Sequence, residues 1–312
     1  MRIYILAAAA VAAGVAILST GLSEGRLPSA TTIARPPLVA SKQVNLIVLL
    51  DLSDRVKLKK GTPNQPERDK AIVQSTAEWF KSWIQKKGAF GAHGCYSVVF
   101  EPYPMGLANL SEVSESMHYD LTGKGIRAKD CQEAYHNIVP NTKKGVSQLY
   151  EYVIKQSFEG ADILGFAKDK LAQRYVRDPA IYRNVLVLVT DGYIDHIKAH
   201  AVPPQANKTA YINDAYITQK LVKGANFTAA NWQAKYAKGK YGLQVPAGVN
   251  LKGMEVLVLG INAYNRPDFY NDIIKCYVTD WLKAMGASRV ELYKSDLEST
   301  THSDIKRFLG EI

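Results

Sequence analysis

Two short clusters in this chain carry residue types that can hold a cation. The first is Asp51-Leu52-Ser53-Asp54-Arg55 and the second is Thr190-Asp191-Gly192. Asp51 and Ser53 are separated by one residue, so in a turn both side chains can reach one point. Carboxylates and hydroxyls gathered within a few ångströms repel one another unless a cation lies between them. Hard oxygen donors of this kind suit Mg2+, Mn2+ or Ca2+. Arg55 cannot be a ligand, because a guanidinium has only donors and stays protonated. Pointing inward at about 4 Å, it would repel a divalent cation by several kcal/mol at an effective dielectric of about 20. Two arrangements are open. Either Arg55 turns outward or pairs with Asp54 and leaves a weakened metal site, or it takes the metal's place and bridges Asp51 and Asp191. A plainer alternative makes Asp51 and Asp191 caps of helix ends and loops.

Each cluster follows an apolar run that does not alternate: Leu46 to Leu50 before the first, Val185 to Val189 before the second. Such runs read as strands buried on both faces, as in a parallel sheet covered by helices. Gly253–Ile261 is a third. Gly94–Tyr103 and Ser288–Lys294 read as further strands, and Ser116–Gly123 as a short strand pairing back at an edge. Apolar residues at helical spacing predict helices over Asp69–Lys87, over a stretch that buries Val146, Leu149, Tyr150, Val153 and Ile154, over Asp268–Met285 and over the last eleven residues. The stretch containing Pro140 and Thr142 reads as a loop. This alternation predicts an α/β chain with a Rossmann-like doubly wound, mostly parallel sheet, three layers deep, with an antiparallel edge strand. In open α/β sheets ligands bind outside the carboxyl ends of the strands, where Asp51 and Asp191 would meet. No G-x-G-x-x-G and no G-x-x-x-x-G-K-[ST] is present, so neither dinucleotide binding nor P-loop chemistry is supported.

These residues resemble the von Willebrand factor A (VWA) domain. That family carries a metal-ion-dependent adhesion site of the form Asp-x-Ser-x-Ser after the first strand. It adds a Thr in the loop before a middle helix, and an Asp after a central strand. "DLSDR" supplies Asp51 and Ser53, and "VLVLVTDG" supplies Asp191. "PNTKKGVSQLYEYV" supplies Thr142 for the distant Thr, with Thr122 of "YDLTG" as a competitor. The resemblance runs from Asn45 to the end of the chain. It implies a metal set of Asp51, Ser53, Thr142 and Asp191 and a protein-binding role in which a partner's acidic side chain completes the coordination. Arg55 stands where the family has its second Ser, so Arg55 and Asp54 are expected to modulate the site.

The rest of the chain adds a setting. Residues 1–25 hold one Arg and a long uncharged run, a cleaved signal peptide or an uncleaved anchor, and 26–43 read as a linker. The VWA-like domain is then 44–312, with an insertion at about 196–252 where periodicity is poor. Export predicts an extracytoplasmic protein, tied to a membrane if the N-terminal segment is kept. Net charge is +10, and residues 198–252 hold eight lysines against the single acid Asp214. Lys235, Lys238 and Lys240, interleaved with Trp232 and Tyr236, are candidates for a surface that meets an acidic protein partner. Lysines without arginines argue against sequence-specific nucleic-acid readout. Cys95, Cys131 and Cys276 permit one disulfide with a thiol left over, or three small buried apolar groups. The six histidines show no helical zinc pattern. The function read from sequence is an exported or tethered protein-binding module with a divalent-metal site. The rivals are a metal-assisted phosphoester hydrolase, in which Arg55 clamps phosphate, and a metal-free structural envelope protein.

Overall fold

The computed structural model describes residues 42–57, 64–123, 125–158, 160–294 and 298–311. The expected signal or anchor segment, and the linker up to residue 41, lie outside the described residues.

Six strands form one sheet: β1 Gln43–Asp51, β2 Cys95–Glu101, β3 His118–Asp120, β4 Tyr182–Val189, β5 Met254–Leu259 and β6 Arg289–Tyr293. Their order is β3-β2-β1-β4-β5-β6. All pairs are parallel except β2 with β3. This is the doubly wound, mostly parallel sheet with an antiparallel edge strand that the apolar runs predict. The order reverses between β1 and β4, which places the topological switch point between the two acidic clusters.

Both faces of β1 are buried. Leu46, Val48 and Leu50 enter one core, while Ile47 and Leu49 enter the other. The first core is covered by α1 Gln65–Lys87, α3 Ala128–Val153 and α5 Glu298–Leu309, with α2 Leu110–Ser116 at its margin. The second is covered by α4 Asp268–Ala284, by a helical segment at 163–175 and by the insertion. Helix α1 starts where the Asn64 side chain accepts from Glu67 N, with Pro66 in the first turn, and ends in Lys86 and Lys87 beside the negative pole of its dipole.

Two expectations change. Helix α3 starts at Ala128 and runs through Pro140. The buried stripe Cys131, Ala134, Ile138, Thr142, Val146, Leu149 and Val153 continues across the proline at helical spacing. Pro140, and His136 whose carbonyl loses its helical partner, both lie on the exposed face, where solvent can satisfy that carbonyl. The insertion is also more ordered than its periodicity suggests. It folds as short helical pieces, among them Trp232–Gly239, and a pair of two-residue strands. Ile212, Ile217, Leu221, Phe227, Trp232 and Tyr236 join the second core. All three cysteines are free, Cys95 and Cys131 buried and Cys276 half-buried. Among the described residues no helix is long and apolar enough to cross a membrane.

Candidate functional site

Strands β1 and β4 lie side by side, with Leu50 opposite Val189, so Asp51 and Asp191 emerge together at the carboxyl edge. Asp51 is buried. Its Oδ1 accepts from Ser53 N (2.9 Å), and its Oδ2 accepts from the Thr190 hydroxyl (2.7 Å). Gly192 turns the chain out of β4 at φ 91°, and a Cβ there would come within 2.5 Å of both Ile261 and Ile274. A glycine at 192 is therefore required by space as well as by backbone angle. Asp191 Oδ1 accepts from Tyr193 N (3.1 Å).

Arg55 lies under this crevice and points inward. Its side chain is 5% exposed. Nη2 donates to Asp69 Oδ2 (2.8 Å) and to the Val189 carbonyl (2.9 Å). Nε donates to the Asp51 carbonyl (2.9 Å) and sits 3.6 Å from Asp51 Oδ2. Nη1 is buried without a hydrogen-bond partner. One guanidinium thus ties β1, β4 and α1 together. It does not pair with Asp54. Asp54 instead accepts from Lys57 Nζ (2.8 Å) and from Phe158 N (3.0 Å), which pins the chain that follows α3.

Asp69 is the acceptor that sequence reasoning missed. It is fully buried and takes hydrogen bonds from Arg55, from the Tyr150 hydroxyl (2.6 Å) and from Gln65 Nε2 (2.8 Å). Burial pushes the Asp69 carboxyl up, and Arg55 opposes this. Burial also pushes the Tyr150 phenol well above its ordinary range, and the Asp69 carboxylate adds to the shift. A signal for Asp69 existed in the sequence. It falls on the apolar stripe of α1 three residues before Ile72, and a carboxylate in such a stripe needs a cation. The Asp191 carboxyl is raised to about 7, first by burial and then by the Asp51 carboxylate, with Arg55 and Tyr193 N opposing. The cluster holds three carboxylates against one guanidinium, so a proton on Asp191 relieves part of the excess.

The structure brings Asp51, Ser53, Arg55 and Asp191 together and leaves Thr142 elsewhere. Thr142 is fully buried inside α3, its hydroxyl approaching the Tyr96 phenol. It is eight residues before Tyr150, about 12 Å along the helix axis. The reason for the displacement is the early start of α3, which turns the expected loop position into mid-helix. Tyr150 is the α3 residue that reaches the cluster. Thr122, the competitor, donates to Asp120 Oδ1 at the far end of β3.

These positions test the metal implied by the family resemblance. Arg55 fills the ground beside Asp51 with a fixed positive charge, and Thr142 is absent from the cluster. The residues do not fit a divalent cation at this edge. They fit a guanidinium, and the carboxylates it pairs are Asp51 and Asp69 rather than the expected Asp51 and Asp191.

Above the cluster opens a cavity of about 1020 Å³, lined by Ser53, Arg55 and Asp191 from the floor, Tyr193 and Asp195 after β4, Asp214 from the insertion, and Arg266 after β5. Arg266 grips both oxygens of Asp214 and so ties the insertion to the β5 loop. The partner-surface candidates separate. Trp232 and Tyr236 are 5% and 9% exposed, and Tyr236 packs edge-on against Tyr277 of α4. They are core residues with no face free for a partner. Lys235 caps backbone carbonyls of Ala225 (2.6 Å) and Asn226 (2.9 Å), which leaves Lys238 and Lys240 exposed.

The strand order, the antiparallel β3 and an Asp-x-Ser turn at the switch point together decide the architecture. The fold is VWA-like. No protein-family model matches the sequence, and no curated protein does. Among solved structures, the pilus adhesin SpaC from Lactobacillus rhamnosus GG is 12% identical with a TM-score of 0.37, over 86% of this chain and 31% of that one. Proximal thread matrix protein 1 from the mussel byssus, whose structure has a zinc-occupied MIDAS motif, is 13% identical with a TM-score of 0.34, over 86% of this chain and 47% of that one. The VWA-like chain described here thus spans less than half of either. A separate group of ligand-type residues lies at the opposite end of the sheet from the crevice. Cys95, His118 and Asp120 offer one donor atom each, all within 4.8 Å of one another.

Proposed function

We propose that this chain is an exported or membrane-tethered VWA-like module that binds a protein partner at the carboxyl edge of its sheet. In this reading the guanidinium of Arg55 is the permanent cation of the crevice. The observation that carries it is the inward, 5% exposed Arg55 side chain, which occupies the cluster's centre and bonds three elements at once. The cavity above supplies a partner with tyrosine faces and polar groups at a place that α/β sheets use for ligands. Export rests on the N-terminal apolar run. The exposed Lys238 and Lys240 support a partner that is acidic where it meets the insertion.

Calorimetric titration with Mg2+ and Mn2+, on the wild type and on Asp51→Ala, tests the cation. No saturable, Asp51-dependent heat is expected. Saturable binding that Asp51→Ala abolishes would return the crevice to a metal and sink the role given to Arg55. Crosslinked partners should be captured equally with and without a chelator, and Tyr193→Ala should lose them. Capture that survives Tyr193→Ala but fails in Lys238→Glu with Lys240→Glu would move the binding face to the insertion.

A further inference from the structure

The amino end of the sheet carries a row of polar residues that neither the fold nor the crevice requires. Strand register aligns Asn184 of β4, Asn45 of β1, Cys95 of β2 and Asp120 of β3 across four neighbouring strands. The inner half of this row is fully engaged. Asn45 Nδ2 donates to Asn184 Oδ1 (2.7 Å) and to the Tyr175 carbonyl (2.6 Å). Asn184 in turn accepts from Arg177 N (2.9 Å) and donates to the Arg177 carbonyl (2.8 Å). The backbone at Arg177 is therefore clamped over the sheet while its side chain reaches onward to the outer half.

The outer half is different in kind. Residues two apart on a strand share a face, so Cys95 and Ser97 of β2 stand beside Asp120 and His118 of β3 on one surface. A sulfur, an imidazole nitrogen and a carboxylate oxygen converge there, each pair of donor atoms within 4.8 Å. Ser97 Oγ lies 2.8 Å from His118 Nδ1 and 3.6 Å from Cys95 Sγ, so the hydroxyl orients the ring. Asp120 Oδ1 accepts from Thr122 N (2.9 Å), which fixes the carboxylate. One cation is already present: Arg177 Nη2 donates to Asp120 Oδ2 at 2.6 Å. Cys95 is 3% exposed, whereas His118 and Asp120 are open to solvent, so the group is reachable from the sheet edge.

We propose that Cys95, His118 and Asp120 form a binding site for a thiophilic divalent cation, with Zn2+ the best match, which Arg177 occupies in the cation's absence. The donor chemistry selects the metal. One thiolate, one imidazole and one carboxylate is a zinc-type set, whereas Mg2+ and Ca2+ take oxygen alone. Three protein ligands leave a fourth position open to water or to a donor from a partner. Binding requires the Cys95 proton to leave, so the ion exchanges for that proton, and the Arg177 side chain swings from Asp120 into solvent. Because the Arg177 backbone is held by Asn184, this exchange moves one side chain and leaves the strap over the sheet in place. The site is independent of the crevice, since it lies at the other end of the strands.

The test titrates the intact chain with Zn2+, and with Co2+ as a spectroscopic substitute. The wild type should bind one equivalent, release a proton, and show the sulfur-to-cobalt charge-transfer band. Cys95→Ser should abolish that band even though Cys131 and Cys276 remain. His118→Ala, a change at an exposed position that spares the core, should weaken binding by more than the roughly 10–100-fold that outer-shell changes cost. Arg177→Ala should tighten binding by removing the competing cation, and Asp51→Asn should leave it unchanged. Absence of the band in both the wild type and Arg177→Ala would overturn the proposal. So would zinc binding of unchanged affinity in Cys95→Ser and His118→Ala.

Discussion

Replacing Arg55 with Ser restores the Asp-x-Ser-x-Ser spelling and at the same time removes the cation that the crevice holds. The cluster then contains Asp51, Asp69 and Asp191 with no counter-charge, and the carbonyls of Asp51 and Val189 lose their donor. Breaking a buried ion pair by deleting one partner costs about 3–5 kcal/mol, because the other charge stays buried. For a domain of this size that is a fall in Tm of about 10 °C. Calorimetric or fluorescence melts at pH 7 should show it. The deficit should narrow as pH falls, since the stranded carboxyls take up protons. Divalent ions should restore part of it: a ligand at about 100 times its Kd adds about 2.7 kcal/mol. Without Thr142 the rescue should be incomplete. A loss under about 1 kcal/mol at pH 7 would refute the reasoning, because the guanidinium would then not be balancing the carboxylates.

The raised Asp191 carboxyl gives a second prediction with a definite sign. Its ordinary value is 3.8 and its folded value about 7, so between these limits the folded chain keeps a proton that the unfolded chain releases. Stability attributable to Asp191 therefore falls as pH rises from about 4 to 7, by up to about 1.4 kcal/mol per unit. Asp191→Asn should be more stable than the wild type at pH 7 and should flatten that slope in denaturant titrations. Thr142→Val removes a buried hydroxyl that lacks a well-formed hydrogen bond, so it should be neutral or stabilising within about 1 kcal/mol and leave crevice binding intact. Trp232→Ala should cost about 3–5 kcal/mol as a core truncation, whereas Lys240→Glu, on the surface, should stay within about 0.5 kcal/mol by chemical denaturation.

The legible parts of the molecule were those fixed by single-strand or single-helix patterns. Leu46–Leu50 and Val185–Val189 could only be two-sided strands, and once parallel and adjacent they had to deliver Asp51 and Asp191 to one edge. The direction of Arg55 is not readable from its own segment, because it depends on Asp69 of α1, which Tyr150 of α3 holds in turn. Thr142 was misplaced because Pro140 reads locally as a break. The buried stripe on either side outweighs the lost hydrogen bond, and tertiary burial decided the helix. Trp232 and Tyr236 looked like surface aromatics among lysines. Short helical pieces carry too few turns to show an apolar face, so their burial against α4 was invisible in sequence. The Cys95, His118 and Asp120 group was invisible for a different reason, since strand register alone brings it together.

The anchoring of Arg55 to three elements has a consequence for where such a module can work. A crevice built around a bound ion is only as complete as the local supply of that ion, and it empties in chelating or ion-poor surroundings. A guanidinium is synthesised with the chain, and although burial works against its charge, the Asp69 and Asp51 carboxylates outweigh that and keep it protonated across the whole physiological pH range. The floor of this crevice is therefore constitutive. Its cation is set once, at folding, and the surrounding medium cannot supply or withdraw it by its salt content.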